Sequence, residues 1–137
     1  MKIAVACGGT GGHVFPGLTT AEVLVRRGHE VVLWLAGRDA EAVSADGWSG
    51  PVESVPSAGF PARLSPVSAA AAARVAAAVL NCRRRMRGRP PGVVLAMGSY
   101  ASVGPALAAR SLGVPVVLHE ANAVPGRAVA FLSRFAR

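Results

Sequence analysis

The chain has 137 residues, enough for one domain with a real core. Hydrophobic residues make up 52% of it and aromatics 5%, which excludes a disordered chain and points to a core of small side chains packed closely. The net charge of +8 is almost wholly arginine, which favours an anionic partner: nucleic acid, a phospholipid surface or a phosphorylated substrate.

Ile3 to Cys7 is an apolar run that breaks into Gly8-Gly9-Thr10-Gly11-Gly12-His13. The pattern predicts a buried strand, a tight turn with little side chain, and the start of a helix. Such a turn leaves backbone N–H groups at the positive end of a helix dipole, where anionic or multiply hydroxylated ligands bind well. Pro16 fits the first turn of that helix, where its missing N–H costs nothing. Leu18, Ala21, Leu24 and Val25 form an apolar face, Arg26 and Arg27 complement the C-terminal dipole, and Gly28 suits a left-handed cap. Val31 to Leu35 predicts a strand covered on both faces. Strand, helix and strand take roughly thirty residues, the length of a βαβ unit.

Gly37 to Asp46 predicts a short second helix, and Val52 to Val55 a short strand near a sheet edge. Ser57 to Pro66 reads as a loop. Ser68 is placed to cap a long helix from about Ala69 to Arg87, ended by Gly88. After the Arg89-Pro90-Pro91-Gly92 turn, Val93 to Met97 is another buried strand. Gly98-Ser99-Tyr100-Ala101-Ser102 is a second small-residue turn, followed by a helix with Pro105 in its first turn and Gly113 past its end. Val114 to Leu118 is the next strand, His119 to Gly126 a third turn, and Arg127 to about Phe135 a last helix. This alternation implies an α/β fold: a Rossmann-like parallel sheet with helices on both faces and right-handed crossovers. Ligands bind such sheets beyond the carboxyl ends of the strands, and all three polar turns lie on that edge. Residues 1–137 read as one domain, without an internal repeat or a linker.

The first turn does not match a dinucleotide-binding fingerprint. In the G-x-G-x-x-G frame from Gly9 the last position is Val14, and no acidic residue ends the second strand. It is not a P-loop, because no Lys-Ser or Lys-Thr follows the glycines. Alone, the glycines fit close helix–strand packing equally well. His13 directly after them shifts the balance toward function, because an imidazole facing the ligand edge titrates near neutrality and can accept a proton. Glu120 and Asn122 also fit as caps of the helix that follows them. The Arg83-to-Arg89 run lacks the aromatic interleaving of a nucleic-acid binder, so it fits a solvated helix end or an anionic lipid surface. The His and Cys residues have no metal-ligand spacing. Cys7 and Cys82 suggest a reducing compartment. The apolar start is too short for a signal peptide. No apolar run reaches the roughly 18 residues of a membrane-spanning helix.

Taken together, certain segments are specific: Gly8 to Gly17, Arg27-Gly28-His29-Glu30-Val31, Ala58-Gly59-Phe60-Pro61, Gly98 to Pro105 and His119 to Gly126. In that order they resemble the N-terminal half of the MurG family, peptidoglycan N-acetylglucosaminyltransferases that convert lipid I to lipid II. The similarity covers nearly the whole chain. It implies one half of a GT-B glycosyltransferase, in which two Rossmann-like domains face each other across a cleft. Residues 1–137 would be the acceptor-binding domain, with the C-terminal donor-binding domain absent from this chain. The implied transfer inverts the anomeric centre without a covalent intermediate and needs no metal or other cofactor. His13 is then the base for the acceptor's 4-hydroxyl, or the residue that orients it. Thr10, Gly11, Gly12 and Asn122 would meet the donor, UDP-N-acetylglucosamine. Gly8, Gly9, Ser99, Tyr100, Ala101, Ser102, Gly104, His119 and Glu120 would hold the lipid-linked acceptor and its diphosphate, with Glu120 orienting its turn rather than doing chemistry. The family's place is cytoplasmic, peripheral on the anionic inner face of the cell membrane. Three departures keep the acceptor open: Ala121 stands for the typical Gln, Ser99 for the typical second Gly, and Leu35 to Asp39 lack the usual wording. The alternatives are a specialised relative with a different acceptor and a non-catalytic membrane-associated subunit of a split transferase. The chain alone is expected to lack transferase activity.

Overall fold

The structure is a computed structural model and describes residues 1–37, 47–55 and 66–136. The expected helix after Gly37, the expected Ser57-to-Pro66 loop except Pro66 itself, and the Ala58-Gly59-Phe60-Pro61 segment lie outside the described residues.

Apolar runs bounded by turn residues form five parallel strands: β1 (Lys2–Ala6), β2 (Glu30–Ala36), β3 (Val52–Val55), β4 (Val93–Ala96) and β5 (Val116–Leu118). Their order in the sheet is β3-β2-β1-β4-β5, which puts β3 at an edge as the flanking prolines predict. Ala6 pairs with Trp34 and with Ala96, and Ala96 pairs with Leu118. The carboxyl ends of β1, β4 and β5 are therefore level, and the three polar turns leave the sheet side by side.

Both faces are covered, so the strands carry apolar residues on both sides. One face, with Ile3, Val5, Leu33 and Leu35, packs on Val14, Leu18 and Ala21 of helix α1 (Gly11–Arg26). The other face carries Ala4, Ala6, Val32, Trp34, Val94 and Ala96. It packs on Cys82 and Met86 of α2 (Pro66–Gly88), Val103, Ala106 and Ala109 of α3 (Val103–Ser111), and Ala128 and Leu132 of α4 (Arg127–Leu132). Small side chains let these layers approach closely. A Cβ on Gly17 would lie 2.7 Å from Cys7 Sγ and 2.9 Å from Cys7 Cβ, so α1 rests directly on the end of β1. Each fully buried Leu contributes about 1.5–3 kcal/mol, and Leu33 and Leu35 are both in that class.

Several boundaries differ from expectation. Helix α1 begins at Gly11, so Pro16 sits in its interior rather than its first turn. Its ring removes the N–H that would reach the Gly12 carbonyl. Gly12 is exposed, so water can serve that group, and Thr20 Oγ1 donates to the Pro16 carbonyl at 2.7 Å. Helix α2 begins at Pro66, ahead of Ser68, because proline is itself preorganised for a first helical position; Gly88 is its last residue. Strand β5 begins at Val116 because the Val114 N–H bonds the Ala109 carbonyl and Pro115 has no donor. Helix α4 ends at Leu132, and the Phe131 and Phe135 rings meet edge to face, with centroids 5.5 Å apart.

Candidate functional site

The direction of sheet growth reverses between β1 and β4. From β1 the chain goes to β2 on one side, and from β4 to β5 on the other. Such a switch point opens a crevice at the carboxyl edge. Each turn there is hung from its neighbour by one backbone bond. Cys7 N donates to Trp34 O at 3.0 Å, Met97 N to Ala6 O at 2.8 Å, and His119 N to Ala96 O at 2.9 Å.

His13 is the third residue of α1, after the N-cap residue Thr10. The Thr10 carbonyl accepts from His13 N at 3.0 Å and Val14 N at 3.1 Å. The Thr10 hydroxyl makes no cap bond to the helix; instead Oγ1 lies 2.9 Å from His13 Nδ1. The half-buried imidazole lies over Gly98. A Cβ on Gly98 would be 2.9 Å from His13 Cδ2, 3.1 Å from His13 Nε2 and 3.4 Å from Val129 Cγ2. Gly98 also has a φ of +89°, which L side chains rarely adopt. The three turns meet at this residue, through His13 from the first, Gly98 itself from the second, and Val129 of the helix that follows the third.

Ser99 crosses toward the first turn. Its φ is 62° and ψ 169°, a region almost confined to glycine. Its Oγ accepts from Ala101 N at 3.1 Å and lies 3.1 Å from where a Cβ on Gly9 would stand. The third turn is built differently. Glu120 Oε1 accepts from Asn122 N at 2.9 Å and Asn122 Nδ2 at 2.7 Å, and Oε2 accepts from Gly126 N at 3.0 Å. These donors, Asn122 N–H first, hold the Glu120 carboxyl below its ordinary range.

Of the residues predicted for the site, Gly9, Thr10, Gly11, Gly12, His119 and Asn122 are exposed on this rim, and His13, Ser99, Tyr100 and Glu120 are half-buried. Gly8, Ala101, Ser102 and Gly104 are buried beneath these. The Ser102 hydroxyl donates to the Ser99 carbonyl at 2.9 Å and braces the turn from below. A Cβ on Gly104 would stand 3.4 Å from Ala78 Cβ and 3.6 Å from Cys82 Sγ, so Gly104 serves the α2–α3 contact. The Glu120 oxygens are spent on the third turn, and their charge would repel a diphosphate.

Sequence reasoning missed Gly17, Val129, Phe15 and Val124. The close helix–strand packing weighed for the turn glycines falls to Gly17. Val129 carried no signal beyond an apolar helix position. Phe15 and Val124, 58% and 79% exposed, put large apolar side chains beside the first and third turns. Phe15 had a signal, an aromatic next to the glycines in a chain with few of them.

Away from the rim, Leu80, Arg83, Arg84 and Arg87 follow i, i+3, i+4, i+7 spacing along one face of α2, with Leu80 58% exposed. Arg85 points elsewhere and pairs with Glu53 at 2.6 Å, and Arg89 pairs with Glu30 at 3.2 Å. A hollow of about 220 Å³ beside these ion pairs contains none of the predicted site residues. Burial pushes the Cys82 thiol up to about 11, against the opposing charge of Arg85. Among the described residues, no group of three His, Cys, Asp or Glu could hold a metal, and no helix is long and apolar enough to cross a membrane.

The chain matches the Glycosyltransferase family 28 N-terminal domain over residues 3–137. It is 38% identical over 138 residues to the UDP-N-acetylglucosamine–N-acetylmuramyl-(pentapeptide) pyrophosphoryl-undecaprenol N-acetylglucosamine transferase of Methylococcus capsulatus, covering 98% of this chain and 38% of that one. It is 44% identical over 136 residues to the transferase of the same name from a Methylobacterium species, covering 96% of this chain and 35% of the relative. The crystal structure of MurG from Acinetobacter baumannii superposes with a TM-score of 0.80 at 30% identity, over 99% of this chain and 39% of that one. The chain thus spans under two-fifths of the length of each of these relatives.

Proposed function

The chain belongs to glycosyltransferase family 28, whose N-terminal domain it matches, and on that premise we propose that it forms the acceptor-side half of an inverting N-acetylglucosaminyltransferase cleft. The acceptor is the lipid-linked, diphosphate-bearing muramyl pentapeptide that the relatives are named for, and the donor is UDP-N-acetylglucosamine. The donor-binding half lies outside residues 1–137. The exposed backbone of Gly9, with Ser99, Tyr100 and His119, faces the acceptor diphosphate at the positive end of α3. Thr10, Gly11, Gly12 and Asn122 meet the donor from this side of the cleft.

His13 supports a single-displacement mechanism. Its Nε2 takes the proton of the acceptor's 4-hydroxyl as that oxygen bonds to the anomeric carbon and the nucleotide diphosphate leaves. The basic face of α2 around Leu80 rests on an anionic membrane surface, at about 1 kcal/mol per basic residue near it. On this reading the domain sits peripherally on the cytoplasmic side of the membrane.

The observation that carries this reading is the imidazole held over Gly98, where the three turns meet. In the full-length transferase, His13→Ala should lower kcat by roughly 10²–10⁴-fold with little change in KM. Unchanged turnover would remove His13 from the chemistry and favour a non-catalytic scaffolding subunit.

A further inference from the structure

Threonine at an N-cap ordinarily accepts a hydrogen bond from a first-turn N–H. Thr10 does not. Its extended backbone, φ −153° and ψ 156°, is that of a normal cap, so the conformation is right and only the hydroxyl is diverted. The N–H of His13, one of the usual partners, is taken by the Thr10 carbonyl at 3.0 Å. The hydroxyl then meets the imidazole Nδ1 at 2.9 Å. One residue thus anchors both the backbone and the ring of His13. The ring's other edge, with Cδ2 and Nε2, lies against Gly98, where any side chain would intrude.

We propose that Thr10 is a positioning residue: its Oγ1 accepts from Nδ1–H and fixes His13 in the tautomer whose Nε2 carries no proton. In neutral imidazole one nitrogen donates and the other accepts, so the partner of Nδ1 decides what Nε2 can do. With Nδ1–H donated to Thr10, the Nε2 lone pair is the one that receives a proton. When it does, the Nδ1–H···Oγ1 bond persists and becomes charge-assisted, which favours the imidazolium as the acceptor oxygen bonds to the sugar. The Thr10–His13 contact brings Oγ1 to Nδ1, and the direction of that bond is what we infer; its consequence for turnover rests on the base role proposed above for His13.

Thr10→Val keeps the β-branched shape and the anchoring carbonyl but removes the hydroxyl. The full-length transferase would be labelled with ¹⁵N-histidine, and the His13 resonances identified by their loss in His13→Gln. The wild type should show a protonated Nδ1 and a bare Nε2. In Thr10→Val the populations should shift toward the other tautomer by about five- to tenfold, the size of one lost hydrogen bond. Thr10→Ser should restore the wild-type spectrum. Melting temperature should barely move in Thr10→Val, since no helix cap is lost. Wild-type His13 carrying its proton on Nε2, or a Thr10→Val spectrum identical to wild type, would overturn the proposal. On the kinetic side, kcat at saturating donor should fall by a similar factor in Thr10→Val at constant acceptor KM. If the tautomer shifts while kcat does not, the clamp stands and the base assignment of His13 is what fails.

Discussion

The turns after β1 and β4 and the turn after β5 reach the same rim by different means. The first two interlock. His13 lies on Gly98 and Ser99 lies over Gly9, at distances where a single added carbon would intrude. The third is shaped by one carboxylate, Glu120, whose two oxygens gather N–H groups from Asn122 and Gly126. Packing leaves no room for substitution but is indifferent to pH. A charged hydrogen-bond acceptor tolerates larger neighbours, yet depends on its ionisation. The imidazole is on the packed side, where its position is set by shape. The exposed Asn122 and His119 are on the side that can adjust to a ligand.

The strongest challenge to that contrast is one methyl group. In Gly98→Ala the new carbon would lie 2.9 Å from His13 Cδ2, on a residue whose φ is +89°. The backbone conformation alone costs about 1–2 kcal/mol. The imidazole must also move, and displacement of a catalytic group by about 1 Å can cost roughly 10²-fold in rate. The full-length enzyme should therefore lose kcat by about that factor and show a lower urea midpoint. A variant with normal turnover would show that shape does not set the ring's position.

A smaller effect is expected at Ser99, where strain and hydrogen bonding oppose each other. Ser99→Ala keeps the strained φ of 62° and loses the bond from Ala101 N, so it should destabilise by about 1 kcal/mol. Ser99→Gly also loses that bond but relieves a conformation worth about 1–3 kcal/mol, against roughly 0.5–1 kcal/mol of added chain entropy. The glycine variant should therefore lie close to the wild type and be more stable than the alanine variant, the reverse of the usual order. Chemical denaturation of the three proteins gives the ranking. If alanine proves the more stable replacement, the strain is not real and the interlock is looser than the distances imply.

These contacts were not legible in the sequence, although the rim that carries them was. Parallel strands covered on both faces are nearly pure apolar runs, so Val31–Leu35 and Val93–Met97 declared themselves, and their alternation with helices put three turns on one edge. Prolines marked helix starts less faithfully. Pro105 lies in the first turn of α3 as expected, but Pro66, read as the end of a loop, opens α2, and Pro16 lies well inside α1, because Gly11 and Gly12 are already helical. Small residues announce a tight turn without saying which way each one faces. Gly104 and Ser102 look like Gly9 and Ser99 in sequence, yet Ser102 braces the turn from beneath and Gly104 packs against α2, while Gly9 and Ser99 are on the rim. The meeting of His13 with Gly98 joins segments far apart in the chain, and spacing along a sequence does not encode which side chains of neighbouring turns touch.

The gentlest test acts on the third turn alone. The folded Glu120 carboxyl titrates below its ordinary value, chiefly because the Asn122 and Gly126 N–H groups donate to the ionised form. Its contribution is therefore fully present above the unfolded-state value and is lost as pH falls through the lower, folded-state one. Acidification through that window should lower the protection of the Asn122 and Gly126 amides, measured as exchange relative to the intrinsic rate at each pH, while leaving the protection of the Ala101 amide, bonded to the neutral Ser99 hydroxyl, unchanged. Glu120→Gln should bring the lowered protection to neutral pH, with little change in melting temperature because the turn is exposed, and should abolish the acid step. If the first two turns loosened together with the third, the carboxylate would be supporting the whole rim, and the division between a packed side and a charge-held side would not stand.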